Sequence, residues 1–149
     1  MTSLRKVVVT GMGVVSPVGK NLDEFWESLK TGKNGIAPIS SFDTTEFKAK
    51  LAAEVKDFDP REYMEKADML RSDRFAQLGL AAAVQAVEQS GIEGTIEPER
   101  IGVYFGTGIG GIQTMSNEQE KLSARGPRKV SPYFVPMLIA NMCAGMIAI

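Results

Sequence analysis

The sequence predicts a layered α/β protein with one helix enclosed between sheets, and three segments carry that prediction. Within residues 75–87 only Gln77 and Gln85 are strongly polar, while Ala76, Gly79, Ala81, Ala82, Ala83 and Ala86 are small. A helix apolar almost all round is buried on all sides, and small residues let neighbouring backbones approach closely. Such a helix belongs in the middle layer of a multilayered fold rather than on the outside of a two-layer domain. Residues 101–105 (IGVYF) form the continuous apolar run expected of a parallel strand buried on both faces. Residues 6–9 add a second, β-branched run ending in a turn that contains Gly11, Gly13, Ser16, Pro17 and Gly19.

The remaining elements follow along the chain. Asn21 is a good N-cap for a helix whose Leu22, Phe25, Trp26 and Leu29 share one face, with Asp23 and Glu24 in its first turn and a stop at Thr31-Gly32. Between residues 33 and 59, Gly35, Pro38 and Ser40-Ser41 punctuate short apolar pieces that read as loops with a hairpin. Gly91 is placed to end the long helix. Residues 130–149 (VSPYFVPMLIANMCAGMIAI) contain no charge and read as an apolar helix that runs uncapped to Ile149. Such a helix needs a cover, so the expectation is the first part of a larger fold.

Composition excludes several classes of function. The 149 residues include 44% hydrophobic side chains, enough for a sizeable core, and a net charge of −1 lacks the basic footprint that phosphate backbones require. No nucleic-acid partner is expected. With one cysteine, Cys143, and no histidine there is neither an internal disulfide nor a zinc set, and no cofactor is expected. The opening MTSLRKVVVTG lacks the features of a secretory signal, so the expected compartment is a reducing cytoplasm. A membrane anchor flanked by Arg128 and Lys129 is a rival reading of the apolar run. Pro132, Pro136 and Asn141 weigh against it, and no membrane contact is expected. Gly106, Gly108 and Gly111 match the letter of a dinucleotide fingerprint. No ribose-binding acid follows about twenty residues on, where a basic loop of Arg125 to Lys129 stands instead, so these glycines are read as serving close packing or positive φ.

Three motifs occur in order: VVVTGMGVVSPVG at residues 7–19, RIGVYFGTGIGG at 100–111 and GPRKVSPYFVP at 126–136. Together they resemble the N-terminal portion of the β-ketoacyl-acyl carrier protein synthases, the condensing enzymes of bacterial type II fatty-acid synthesis, along essentially the whole chain. The resemblance implies a thiolase-like fold of five layers, αβαβα, with residues 1–149 making an incomplete N-terminal half that stops before the nucleophile elbow. It also implies decarboxylative condensation of an acyl thioester with malonyl-acyl carrier protein. That chemistry uses a thiolate of lowered pKa and two imidazoles that stabilise developing negative charge. No histidine is present, and Cys143 lies in the apolar run, where a free cysteine behaves as a small hydrophobe. No catalytic residue is assigned, and the isolated chain is expected to be inactive.

The resemblance assigns binding residues position by position. Ile109 matches the branched residue at the inner end of the acyl pocket. Phe134 matches the aromatic that reaches across the subunit boundary, which implies a homodimer. Arg128 and Lys129 match part of the basic patch that receives the acidic carrier protein, with Lys66 and Arg71 as weaker companions; such charge steers association. Alternatives within the family are a type I or polyketide ketosynthase, including its chain-length partner. Outside it stand a non-catalytic carrier-protein-binding or dimerising product and, last, a tail-anchored membrane protein.

Overall fold

The computed structural model describes residues 5–149; residues 1–4, which open the stretch read above for a secretory signal, lie outside the described residues. Ser16 and Gly19 close a tight turn by exchanging backbone hydrogen bonds of 2.8 and 3.3 Å. Helix α1 (Leu22–Thr31) begins where the Asn21 side chain accepts the Glu24 N–H at 2.9 Å. It ends where Gly32 turns left-handed at φ 67°, a conformation glycine adopts without steric cost. Strands β1 (Ile36–Pro38) and β2 (Leu51–Ala53) pair antiparallel, Ala37 opposite Ala52, so the hairpin expected in this region is present. Helix α2 (Lys66–Met69) leads into the 17-residue helix α3 (Arg74–Ser90), then come α4 (Ile112–Arg125), α5 (Phe134–Leu138) and α6 (Met142–Ala148).

Helix α3 organises the described residues. On one side the turn that follows residues 6–9 lies directly on its backbone. A Cβ on Gly11 would stand 2.1 Å from Ala86 O, and one on Gly13 would stand 1.9 Å from Ala82 O. The glutamines of α3 then serve this contact: Gln89 accepts the Met12 N–H at 2.7 Å, while Gln85 accepts the Val14 N–H at 3.2 Å and donates to Lys20 O at 2.8 Å. Gln85 and Gln89 are therefore latches for a backbone segment that has no sheet partner among the described residues, while Gln77 donates instead to Met69 O and Ser72 O. On another side, a Cβ at Gly79 would meet Cys143 Sγ at 2.6 Å and Phe105 Cε2 at 2.8 Å. Ala76 and Cys143 are buried at this contact, with Cys143 Sγ 3.8 Å from Ala76 O, and Ala81 is buried elsewhere on the helix.

Three expectations are corrected by this arrangement. Helix α3 is central but not enclosed: Val87 is exposed, and most of its other apolar residues are only half-buried. Residues 6–9 and 101–105 have no strand pairing, and Val7, Val8, Val9 and Tyr104 are exposed. A strand is completed only by a hydrogen-bonded neighbour less than about 5 Å away, and among the described residues the hairpin is the only sheet. The apolar run of residues 130–149 is not one helix, because Ile139 adopts an extended conformation, φ −71° and ψ 137°, that separates α5 from α6. Among the described residues no helix is long and apolar enough to cross a membrane.

Candidate functional site

The site is built where the glycine-rich loop at residues 106–111 meets the segment at residues 131–138. Gly110 takes φ 81°, and a Cβ there would lie 2.6 Å from Leu138 O. At Gly111 a Cβ would lie 2.2 Å from Met137 O, and the Gly111 N–H donates to Leu138 O at 2.9 Å. The paired glycines thus exist so that two backbones can touch. This also disposes of the nucleotide reading in physical terms. A pyrophosphate at a helix N-terminus needs unpaired N–H groups. At α4 the Gly111, Ile112 and Thr114 N–H groups are committed to Leu138 O, Gly110 O and the Asp73 carboxylate, respectively.

Asp73 is a residue that motif reading passed over. It caps α3 by accepting the Phe75 N–H at 3.3 Å. Its second oxygen accepts both the Thr114 N–H at 2.8 Å and the Thr114 hydroxyl at 2.6 Å. One buried carboxylate therefore joins the starts of two helices. The available signal was its identity, since aspartate immediately before a helical run is a preferred cap. Nothing local in the sequence pointed to Thr114, 41 residues away.

Ile109 stands on the loop thus held between Thr107, whose hydroxyl accepts the Gly110 N–H at 3.2 Å, and the pinned Gly111. It is 69% exposed, and neither of two open clefts, of about 810 and 670 Å³, is lined by it or by Phe134. Phe134 is half-buried at the start of α5, with its N–H donating to Ser131 O at 3.0 Å. The loop of Ile109 and the segment of Phe134 are thus brought together through backbone contacts.

Among the basic candidates, Arg71 is drawn to the same segment, its guanidinium 5.0 Å from the centroid of the Tyr133 ring, a cation–π contact. Arg128 and Lys129 lie exposed in a short 3-10 turn, Pro127–Lys129, after Gly126 at φ 80°. Lys66 is exposed at the start of α2. The ion pairs among the described residues are Lys30 with Glu27, Arg61 with Asp59 and Lys121 with Glu118, so Arg128, Lys129 and Lys66 spend no charge on an intramolecular partner there. Cys143 is fully buried with its Sγ 3.8 Å from Ala76 O, and burial pushes its thiol pKa up. A thiol in that state is the opposite of an activated nucleophile. Among the described residues no group of three or more His, Cys, Asp or Glu side chains is arranged to hold a metal ion.

Comparison with known proteins bears on the family and the fold. The model of the β-ketoacyl synthase N-terminal domain matches residues 4–149. The 3-oxoacyl-[acyl-carrier-protein] synthase 2 of Vibrio cholerae is 49% identical over 148 residues, which is 99% of this chain and 36% of that protein. The synthase 2 of Coxiella burnetii is 42% identical over 146 residues, 97% of this chain and 35% of that protein. The chain therefore spans about a third of the length of these relatives. Among solved structures, the ishigamide ketosynthase/chain length factor superposes with a TM-score of 0.79 at 29% identity, covering 95% of this chain and 36% of that one. A β-ketoacyl synthase from Burkholderia phymatum superposes with a TM-score of 0.78 at 22% identity, covering 97% of this chain and 36% of that one. The fold is that of part of a ketosynthase, in the thiolase-like α/β class, and the chain belongs to the β-ketoacyl synthase family as its N-terminal domain.

Proposed function

We propose that this domain is the substrate-holding N-terminal part of a 3-oxoacyl-[acyl-carrier-protein] synthase that lengthens fatty acyl chains by two carbons. The observation that carries this reading is the 49% identity to the Vibrio cholerae synthase 2, sustained over 148 residues. In the reaction, an acyl group passes from carrier protein to a cysteine, malonyl-carrier protein loses carbon dioxide, and the resulting carbanion attacks the acyl thioester. The reactive thiolate and two imidazoles belong to residues outside this chain, which has no histidine and whose Cys143 is buried. This chain's contribution is to hold and select the acyl group, to receive the carrier protein and to meet a second subunit in a homodimer. The working compartment is the cytoplasm.

Ile109 acts as the gate of the acyl site; its place on a loop held by Thr107 on one side and Leu138 on the other supports that role. Phe134 faces the partner subunit's acyl site. The exposed Arg128 and Lys129 receive the acidic carrier, with Lys66 and Arg71 flanking them.

The synthase containing this domain, incubated with acyl- and malonyl-carrier protein, is expected to release carbon dioxide and yield the 3-oxoacyl product. Absence of product would overturn the reading. Ile109→Phe is expected to fill the gate and lower kcat/KM for long acyl chains about tenfold relative to short ones. Unchanged chain-length selectivity would remove Ile109 from that role. Converting Arg128 and Lys129 to Glu is expected to raise KM for carrier-bound substrate with kcat spared, and the defect should shrink as salt is added. An equal loss with a small thioester that has no carrier would point to a damaged fold instead.

A second reading, a polyketide ketosynthase or its chain-length partner, is favoured by the likeness to the ishigamide ketosynthase/chain length factor. The higher identity to the synthase 2 relatives, 49% against 29%, ranks it second. Both readings give a 3-oxoacyl thioester from the condensation; they differ in whether separate enzymes reduce that thioester before the next elongation, as in fatty-acid synthesis, or whether it can be elongated with its 3-oxo group retained.

A further inference from the structure

Helix α4 is polar and largely solvent-facing, yet Glu118 in its middle is only 6% exposed. A carboxylate is rarely so buried unless its partners require it. One partner is Lys121, a turn away, and a pairing within one helix would be made as well at the surface. The other explains the burial: Glu118 Oε2 accepts the Ser131 N–H at 2.7 Å. Hydrogen bonds from Lys121 and from the Ser131 amide hold the Glu118 carboxyl below its ordinary pKa, so it is ionised at neutral pH and accepts strongly.

Ser131 is the hinge by which the chain leaves the turn of Pro127–Lys129 and enters α5. Its carbonyl accepts the Phe134 N–H at 3.0 Å, and its hydroxyl accepts the Tyr133 N–H at 3.1 Å. The relay runs from Glu118 to Ser131 and from Ser131 to Phe134. At the far end of α5, Leu138 O accepts the Gly111 N–H just before α4 begins. The segment carrying Phe134 is thus pinned to α4 at two points, and one of them is a single buried carboxylate.

We propose that Glu118 is a positioning residue that sets acyl-chain selectivity, holding Phe134 in register with the Ile109 loop through the Ser131 amide. The inference rests on the reading of Ile109 and Phe134 as acyl-site residues. Glu118 touches no substrate and acts only through Ser131. Loss of its carboxylate frees the entry to α5 while leaving the Gly111 to Leu138 pin in place, so Phe134 shifts relative to Ile109.

The test is made in the synthase containing this domain, with short-chain and long-chain acyl-carrier proteins as alternative primers. E118A is expected to change the ratio of kcat/KM for long over short primers about tenfold, since small misplacements at a site carry effects of that size or larger. KM for malonyl-carrier protein is expected to stay at the wild-type value. E118Q keeps one oxygen to accept the Ser131 N–H while losing the Lys121 ion pair, and is expected to restore the wild-type ratio. Hydrogen exchange at the Ser131 amide should speed up in E118A and stay slow in E118Q. Should E118A fail to fold, E118D, whose carboxylate is withdrawn by one methylene, is expected to shift the ratio in the same sense. A wild-type ratio in E118A or E118D, with only the melting temperature lowered, would overturn the role and leave Glu118 structural. An inactive wild-type enzyme would overturn the functional reading and this role with it; an active one with unchanged selectivity would overturn the role of Glu118 alone.

Discussion

Gly13→Ala is expected to destabilise the protein by about 3 kcal/mol, lowering the melting temperature by roughly 6–12 °C. The added Cβ would stand 1.9 Å from Ala82 O and 2.9 Å from Ala82 C, both backbone atoms of a 17-residue helix that cannot move aside as a side chain does. Relief requires lifting the turn off α3, which would break the bonds from the Met12 and Val14 N–H groups to Gln89 and Gln85. Gly102→Ala is the control, because a Cβ there meets nothing within 4 Å. Thermal unfolding followed by circular dichroism separates the two. Melting of Gly13→Ala alongside the wild type would mean that this turn is not seated on the helix.

Asp73→Ala is expected to cost a similar amount, about 3 kcal/mol. A lost N-cap accounts for about 1 kcal/mol, and stranding the buried Thr114 N–H and hydroxyl for about 1–3 kcal/mol more. Asp73→Asn keeps an acceptor oxygen and is expected to lose less. Chemical denaturation of the single variants Asp73→Ala and Thr114→Ala and of the double variant gives a cycle in which the double should cost clearly less than the sum of the singles. Strict additivity would show that the carboxylate and the threonine are not coupled. The functional consequence is local: Thr114 opens α4 directly after the loop of Ile109, so this variant should also loosen chain-length selectivity.

How much was legible in the sequence depends on the range of the physics involved. The cap at Asn21, the stop at Gly32, the stop at Gly91 and the hairpin between residues 33 and 59 were readable because each is decided within a few residues. The packing role of the glycine cluster was readable only in part: Gly111 does meet another backbone, as does its neighbour Gly110, but a Cβ on Gly106 or Gly108 would meet nothing within 4 Å, so the expectation is corrected at those two positions. Asp73 with Thr114, Glu118 with Ser131, and Gln85 with Val14 were not readable, because each joins residues 13 to 71 positions apart and a polar side chain does not announce a distant partner. The two β-rich runs were misjudged on completeness rather than on character. Their apolar side chains suit a doubly covered sheet, but a strand is a property of pairs.

By itself the sequence determined helix α1 with its cap and stop, helix α3 with its stop at Gly91, and the motifs that place the chain in its family, since these depend on local backbone preference and residue identity. Tertiary structure alone decided which backbones the glycines bring into contact, why Cys143 is sealed against α3, and that the loop of Ile109 and the segment of Phe134 share one carboxylate-pinned junction at α4. The physical reason is that burial and hydrogen-bond partnership across tens of residues are set by how helices pack, and no short window of sequence contains both partners.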